Sequence, residues 1–294
     1  MKNAKSLLFF RPSCLMPYLY IAPITFFAIA TSYVPFVRTL AFSIFRVGRD
    51  ARLIEFVGTQ NFRQVFARED FAISLVATLR LTIMYVPTSI VLATLLAFLV
   101  HSLGNRGRLP QFIFTAPMAV PMASASLIFK TILNPNIGIV NSLLGIDFAW
   151  FWHRTHAMLG VLVLHLWVGL GFDFLMMLLA LRRVPGDVQE AAMLDGAGAL
   201  ARFVHVQLPL AMPTVVFVVC TNIVLAMMTV TPILVITEGG PFRATWTLLY
   251  SMYVFGYGSQ NYSVAAVYSV AVLVATAIFV LIAFTIDKGV YYER

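Results

Sequence analysis

Charged residues are scarce in this chain of 294 residues. Lys, Arg, Asp and Glu together make up 11% of it, whereas hydrophobic residues make up 61%. Soluble domains carry about 25% charged residues. A fold surrounded by water could not bury this much apolar surface, so the composition excludes an ordinary soluble domain and indicates that lipid is the solvent.

Cysteine and the common catalytic motifs are also scarce. Cys14 and Cys220 lie in separate apolar runs, which provides no disulfide framework or metal spacing, and we interpret both as packing residues. The five histidines show no H-E-x-x-H motif and are interpreted as loop or interface residues. No lysine follows a glycine, so the G-x-x-x-x-G-K-[ST] phosphate loop is missing. We therefore expect no metal centre, no enzyme active site and no ATP site in this chain.

The apolar residues form six runs that are long enough to cross a bilayer, for which a helix needs about 20 residues. The sequence predicts an all-α integral membrane fold with transmembrane helices near residues 15–37, 75–100, 112–133, 158–181, 210–236 and 264–286. These runs form one domain, residues 15–286, between termini 1–14 and 287–294. The first run is too long for a typical signal peptide and is predicted to be an anchor, with a cleaved signal as the alternative.

The net charge of +8 is concentrated in short segments between the runs. This placement favours a role in membrane orientation over nucleic-acid binding. The short loops 104–108 and 181–183 are basic and close to span ends, which assigns them to the cytoplasm. Because the number of spans is even, both termini are expected in the cytoplasm.

The segment between the fourth and fifth runs, residues 182–209, differs from the rest. Pro185 and Asp187 suit the start of a helix, Gly196 can end it, and Pro209 is expected to open the next span. The resulting short helix has small residues that let a partner approach closely and apolar side chains that could fill its pockets. By these features alone, an alanine-rich surface helix without a partner is the alternative.

The full spacing of this segment resembles a known family motif. Glu190-Ala191-Ala192, three residues, Gly196, nine residues and then Val206-Gln207-Leu208-Pro209 is similar to the EAA loop of ABC-importer permease subunits, with Val206 in place of isoleucine. The resemblance implies the type I ABC importer permease fold, in which this loop is a cytoplasmic coupling helix inserted into a groove of a separate ATPase. The implied coupling residues are Glu190, Ala191, Ala192, Met193, Leu194, Asp195, Gly196 and Ala197.

A second motif resembles the sugar and glycerol-phosphate branch of that family. Thr237-Glu238-Gly239-Gly240-Pro241 looks like its T-x-G-G-P outer loop, although glycine with proline is also common in ordinary turns. The resemblance implies that a soluble binding protein contacts Gly239, Gly240, Pro241 and Phe242.

Polar residues within the spans are the candidates for the solute pathway. An aspartate at the bilayer centre costs on the order of 3 kcal/mol, so Asp173 should face the bundle interior. Sugar recognition combines aromatic surfaces with polar groups, and the chain offers Asp173, Trp167, Asn222, Thr221 and Tyr268. Contact with neighbouring helices is the alternative for Asp173 and Asn222. Arg80 and Lys130 either extend to the lipid headgroups or bind an anionic solute.

The resemblance implies a permease subunit in the bacterial plasma (inner) membrane that moves a sugar or glycerol-phosphate-type solute inward by alternating access. Its implied partners are a second homologous permease subunit, an ATPase dimer that uses ATP and Mg²⁺, an extracytoplasmic solute-binding protein and membrane lipid. No cofactor is expected on this chain itself. A stand-alone carrier or channel is the alternative, but the sequence shows no convincing internal repeat of the kind that carriers often have.

Overall fold

Helices dominate the computed structural model, which describes residues 12–287. The predicted termini, residues 1–14 and 287–294, lie mostly outside this range. The helices of the membrane-crossing part are α1 (Pro12–Ala28), α2 (Val34–Ile44), α4 (Glu69–Ser102), α5 (Arg108–Thr115), α6 (Met122–Ile132), α8 (Arg154–Arg182), α12 (Met212–Met227) and α14 (Tyr262–Asp287). The shorter ones are α3 (Gln60–Phe66), α7 (Ile139–Leu144), α9 (Gly186–Leu194), α10 (Ala199–Arg202), α11 (Leu208–Leu210) and α13 (Leu248–Tyr253).

Four helical stretches within residues 12–287 are long and apolar enough to cross a membrane. They are Met16–Ile44, where a π-helical turn joins α1 to α2, and Glu69–Ser102, Arg154–Arg182 and Tyr262–Thr285. These stretches coincide with the first, second, fourth and sixth predicted runs. Met16–Ile44 continues beyond the end of the predicted run 15–37, and Glu69–Ser102 begins before the predicted run 75–100.

The third predicted run is broken rather than straight. α5 continues into a 3₁₀ turn, Ala116–Ala119, and then meets α6 at an angle of 98°. Pro121 has no backbone N–H, and Val120 before it adopts an extended ψ of 121°, as residues before proline commonly do. The prediction of one uninterrupted helix over residues 112–133 is corrected to a bent pair.

The fifth predicted run, residues 210–236, is also interrupted. α12 ends at Met227, and a separate π-helical turn covers Ile233–Thr237. At its other end, Ala199–Leu210 meets Met212–Met227 at 68°. Pro209 therefore lies inside the preceding helical segment instead of opening the span. Counting each bent pair as one span gives up to six crossings.

The bundle is built around α4 and α8, which pack along each other. α12 lies against α4 and α14, and α14 also packs against α2 and α13. One buried apolar cluster joins Ala93 and Ala97 of α4 to Phe174, Met177 and Leu178 of α8. Small residues on α4 permit the close approach of α8, as is common between helices in membranes.

A short β-hairpin interrupts the all-α pattern between α2 and α3. β1 (Phe45–Val47) pairs antiparallel with β2 (Leu53–Phe56). Arg46 and Glu55 are register partners whose side chains lie 3.2 Å apart, and the rings of Phe45 and Phe56 pack edge to face. The sequence analysis predicted no strand here because the segment is too short and too charged to stand out beside the apolar runs.

Asn61 links α3 to the end of the first long helix by hydrogen bonds. Its side-chain Nδ2 donates to the backbone oxygens of Ser43 at 3.0 Å and Phe45 at 2.9 Å. The residue is 9% exposed, so water cannot easily replace these bonds.

We expect Asn61→Asp to destabilise the fold by about 2–4 kcal/mol, because it removes both donors and places a carboxylate against two carbonyl oxygens. The measurement is the apparent Tm of the purified chain in detergent. Gln64→Glu makes the same amide-to-acid change at an exposed position of the same helix and should leave the Tm nearly unchanged. Equal Tm values for the two variants would contradict the role given to Asn61.

Candidate functional site

The loop between α8 and α12 has a defined helix at its tip. Pro185 precedes α9 in an extended conformation with ψ 137°, and Asp187 lies in its first turn. The helix ends in a Schellman motif, because Gly196 N–H donates to Met193 O and Ala197 N–H donates to Ala192 O, both at 3.0 Å. Gly196 has a φ of +83°, a conformation that favours glycine.

The outer surface of this tip is open and exposes two large apolar side chains among small and acidic residues. Leu194 is 90% exposed and Met193 is 50% exposed, while Glu190 and Ala191 are also exposed. A Cβ added to Gly196 would meet nothing within 4 Å. Leu194 and Met193 therefore form an exposed apolar pair at the end of α9.

The inner surface of the loop is fixed to the bundle. Gln207 donates to Gln189 Oε1 at 2.9 Å, and Gln189 in turn donates to Val184 O at 3.2 Å. Phe203 is buried, and its ring centroid lies 4.4 Å from that of Phe98 on α4. A force on α9 would therefore reach both α4 and α8.

The second half of the loop runs through α10, a π-helical turn (Phe203–Gln207) and α11. Arg202 donates to Ala197 O at 2.9 Å, which ties the turn after Gly196 to this second segment. The two halves thus form one compact unit held by backbone and side-chain bonds.

A buried polar cluster joins three long helices at Asp173. Asp173 on α8 is 1% exposed, and its Oδ2 accepts hydrogen bonds from Ser89 on α4 and from Asn222 Nδ2 on α12, the latter at 2.7 Å. Tyr85 OH lies 3.5 Å from Asn222 Oδ1. Asp173 Oδ1 has no hydrogen-bond partner among the described residues. In this conformation the cluster links the helices and is closed to solvent.

The other proposed pathway residues do not join this cluster. Thr221 donates to Phe217 O on its own helix, and Trp167 is 38% exposed with its ring 5.6 Å from that of Phe129. Tyr268 is fully buried and stacks on Phe255. The structure therefore brings together only Asp173 and Asn222 of the candidates.

Sequence reasoning missed three members of the polar cluster. Ser89 and Tyr85 lie on the α4 face that turns toward α8, and a search for polar residues at helical spacing could have found them. His165 was interpreted as a loop or interface residue, but it is buried in α8. Its ring packs edge to face on Tyr85, with centroids 4.4 Å apart, and its Nδ1 lies 3.4 Å from Thr229 Oγ1.

The loop at the opposite end of the bundle, residues 237–247, is rigidly bonded. Thr237 and Thr245 share a hydroxyl hydrogen bond of 2.7 Å, and Thr245 also donates to Gly240 O at 3.0 Å. A Cβ on Gly239 would lie 2.7 Å from the rings of Trp246 and Tyr250, so the loop backbone lies directly on these rings.

Of the four proposed contact residues, Phe242 alone is exposed, while Gly239 is buried and Gly240 and Pro241 are partly buried. Phe242 is 77% exposed, and its carbonyl accepts from Arg154 at 3.2 Å. Arg243 forms an ion pair with Asp70, which joins the loop to the start of α4. Lys130 donates to Val235 O at 2.7 Å and lies 4.0 Å from Glu238, so its charge is used within the chain.

No group of three metal-binding side chains converges among residues 12–287. The site consists of an exposed tip at one end of the bundle, a closed polar cluster between the helices and a rigid loop at the other end. This arrangement suits the transmission of movement through a membrane. The loop that carries the tip packs against α4 and α8, and the polar cluster lies on the same two helices.

Two relatives are similar over most of the chain. The sn-glycerol-3-phosphate transport system permease protein UgpA of Pectobacterium atrosepticum is 29% identical over 290 residues, which cover 97% of this chain and 98% of that protein. UgpA of Yersinia pestis bv. Antiqua is 30% identical over 244 residues, which cover 81% and 83% respectively.

The fold is similar to that of solved transporters. A chain of a bacterial alginate ABC transporter, in complex with alginate pentasaccharide-bound periplasmic protein, has a TM-score of 0.83 at 18% identity and covers 96% of this chain and 97% of its own. A chain of a bacterial ABC transporter involved in the import of the acidic polysaccharide alginate has a TM-score of 0.82 at 19% identity, with 94% and 96% covered. The expected permease fold is thereby confirmed at the level of overall architecture.

The family assignment follows from the sequence itself. Residues 89–291 match the family described as the inner membrane component of binding-protein-dependent transport systems. The match includes the loop of residues 182–209, Asp173 with its partners Ser89 and Asn222, and the loop of residues 237–247. The chain belongs to this family of binding-protein-dependent transport system inner membrane components.

Proposed function

We propose that this chain forms one half of the translocation pathway of an ATP-driven importer and that α9 is its coupling helix. The observation that carries the proposal is the exposed apolar tip at Leu194, held rigidly by the Schellman motif at Gly196 and fixed to α4 and α8 from beneath. A rigid tip that is fixed in this way can transmit the movement of a bound subunit to the membrane-crossing helices.

The proposed arrangement places six spans in the bacterial inner membrane, with each bent pair counted as one span and both termini in the cytoplasm. The α9 loop, residues 182–209, then faces a separate ATPase subunit, and the ATP and Mg²⁺ are bound there. The basic residues Arg182 and Arg183 at the end of α8 support this orientation, because cytoplasmic loops favour Lys and Arg.

A complete pore requires a second, homologous permease subunit. The described part of Met16–Ile44 offers a large apolar surface, since the membrane-crossing window of this helix is 0% buried within the chain. Lipid or a partner permease can cover such a face. An extracytoplasmic binding protein is proposed to deliver solute to the loop around Gly239, Gly240, Pro241 and Phe242.

The closed polar cluster suggests how alternating access proceeds. Asp173, Ser89 and Asn222 come from three different helices, so a relative movement of α4, α8 and α12 would separate them. The polar groups released by that movement would then face water or solute. Trp167, Thr221 and Tyr268 remain proposed pathway residues that come close to the solute in another conformation or beside the partner subunit.

The solute class is proposed from the relatives. The name of UgpA assigns glycerol 3-phosphate transport to that protein, and the solved transporters import alginate, an acidic polysaccharide. We propose a sugar or glycerol-phosphate-type solute for this chain. A stand-alone carrier, which would also accommodate bent helices, gives no role to the exposed α9 tip.

We expect Gly196→Asp to abolish transport and to weaken binding of the ATPase subunit while membrane insertion remains intact. A side chain here projects into the open space beside Leu194, where aspartate adds bulk and a further negative charge next to the exposed Asp195. The measurements are solute uptake and co-purification of the ATPase with the affinity-tagged permease.

Two controls separate the effect of the charge from that of added bulk and backbone strain at Gly196. Gly196→Asn keeps a similar size without the charge and tolerates a positive φ better than most residues. Gly186→Asp adds the same charge to the open start of α9, at a glycine without a positive φ, and should retain ATPase binding. Normal uptake by Gly196→Asp would remove the coupling role from α9.

A second prediction concerns the closed cluster. In a background without Cys14 and Cys220, Ser89→Cys should be unreactive toward a water-soluble thiol reagent at rest, because Ser89 is fully buried. During ATP turnover its labelling rate should rise by roughly tenfold or more, as the helices separate and admit water.

Thr88→Cys is the matched control, since the neighbouring side chain lies on the same helix but on the outer surface of the chain, outside the cluster. Its labelling rate should change little between rest and turnover. If Ser89→Cys stays unreactive in an assembly that is actively transporting solute, the cluster does not open, and the proposed gating is wrong.

A further inference from the structure

Three arginines line one cleft at the end of the bundle opposite to α9. Arg80 comes from α4, Arg154 begins α8 and Arg243 belongs to the loop after the π-helical turn Ile233–Thr237. The cleft has a volume of about 490 Å³. Its remaining lining residues are small, apolar or uncharged: Ala72, Ile73, Val76, Ala77, Thr155 and Ala244.

Only one of these guanidinium groups is neutralised by an acid. Arg243 pairs with Asp70, whereas Arg154 donates to the carbonyl of Phe242. Arg80 has no hydrogen bond or ion pair with any side chain or backbone atom that the structure describes. The cleft therefore holds two positive charges without a carboxylate partner.

Arg80 carries its unpaired charge within a membrane-crossing helix. It lies eleven residues into α4, about 16 Å along the helix from Glu69 at 1.5 Å per residue. Arginine inside a membrane segment is costly unless it faces water or an anion. The structure places the Arg80 side chain in a cleft with two further arginines, whose like charges an anion would compensate.

The chemistry of the lining fits an oxyanion. A guanidinium group presents a planar fork of donors that matches the oxygens of phosphate or carboxylate, and several such groups together raise the local concentration of anions. The small residues Ala72, Ala77 and Ala244 leave space for a group of that size. An uncharged sugar would leave the two unpaired cations without a partner.

We propose that this cleft binds the phosphate or carboxylate group of the transported solute on its way to the Asp173 cluster. The proposal rests on the proposed import function and narrows its solute to an anion. Arg80 supplies the unpaired donor at the membrane end of the cleft, and Arg154 supplies the second from the start of α8. Arg243 remains paired with Asp70 and borders the entrance.

A labelling experiment tests anion binding without knowledge of the solute. Thr155→Cys is introduced into the assembled transporter in phosphatidylcholine nanodiscs, and its reaction with a negatively charged sulfonate thiol reagent is followed. The parent without this change corrects for the native cysteines. Inorganic phosphate and glucuronate should slow the reaction at least about tenfold at saturation, whereas glucose should not.

The same reaction on Thr155→Cys/Arg80→Gln should be slower without competitor and insensitive to phosphate. Thr155→Cys/Arg80→Lys should retain part of the protection, and Thr155→Cys/Arg63→Gln should behave like Thr155→Cys, because Arg63 is exposed on α3 outside the cleft. If phosphate gives no protection, or if Arg80→Gln leaves protection unchanged, the cleft does not bind anions.

Uptake by the complete transporter distinguishes a solute from a lipid headgroup. Labelled glycerol 3-phosphate, glycerol, glucuronate and glucose are supplied to proteoliposomes made with and without phosphatidylglycerol. We expect uptake of a charged member in both membranes and a loss of at least about tenfold in Arg80→Gln. Uptake of neutral members alone, or an effect of Arg80→Gln only with phosphatidylglycerol, would overturn the proposal.

These outcomes also separate this inference from the import function. Transport of neutral members alone leaves the importer in place and removes the anion cleft. If the transporter moves no member of the panel and does not bind the ATPase, the proposed import function is wrong. The labelling experiment then still decides whether the cleft binds anions.

Discussion

A carboxylate between apolar helices must find its partners within the protein, and the hydrogen bonds of Asp173 fix how the central helices pack. One oxygen of this side chain accepts from Ser89 on α4 and Asn222 on α12, while the backbone belongs to α8. The packing of α4 against α8 and of α12 against α4 meets at this point. Buried polar groups in lipid-embedded bundles are stabilised when neighbouring helices bring such donors.

The same bonds explain why the closed conformation is specific but reversible. Hydrogen bonds between membrane helices average below 1 kcal/mol in double-mutant cycles, although single values are larger. A cluster of two or three such bonds can hold a bundle in one arrangement and still yield to the binding energy of partner subunits. The free Oδ1 of Asp173 leaves a polar atom available when the helices move apart.

The sequence predicted most of the helices but not their breaks. Runs such as residues 75–100 and 264–286 are apolar throughout, and the length needed to cross lipid identifies them directly. Hydropathy does not register the direction of a helix, so the 98° bend before Pro121 and the 68° bend at Ala211 were invisible in the apolar runs. The hairpin between Phe45 and Phe56 was missed because its stability comes from pairing and from Asn61, not from a local pattern. For the site, Gly196 was found by its motif, whereas Ser89 and Tyr85 depend on which face of α4 meets α8.

The long first helix has a consequence for how mutations in this protein should be interpreted. Against the described residues, its membrane-crossing window has no buried side chain, and its α2 segment is the part that packs on α14. Side chains such as Tyr20 and Phe26 are therefore surplus to the folding of the monomer, although they are large and apolar. Substitutions there will act on quaternary structure and lipid contacts. A stability screen on the isolated chain would therefore score these positions as neutral, although they determine which partner the subunit binds.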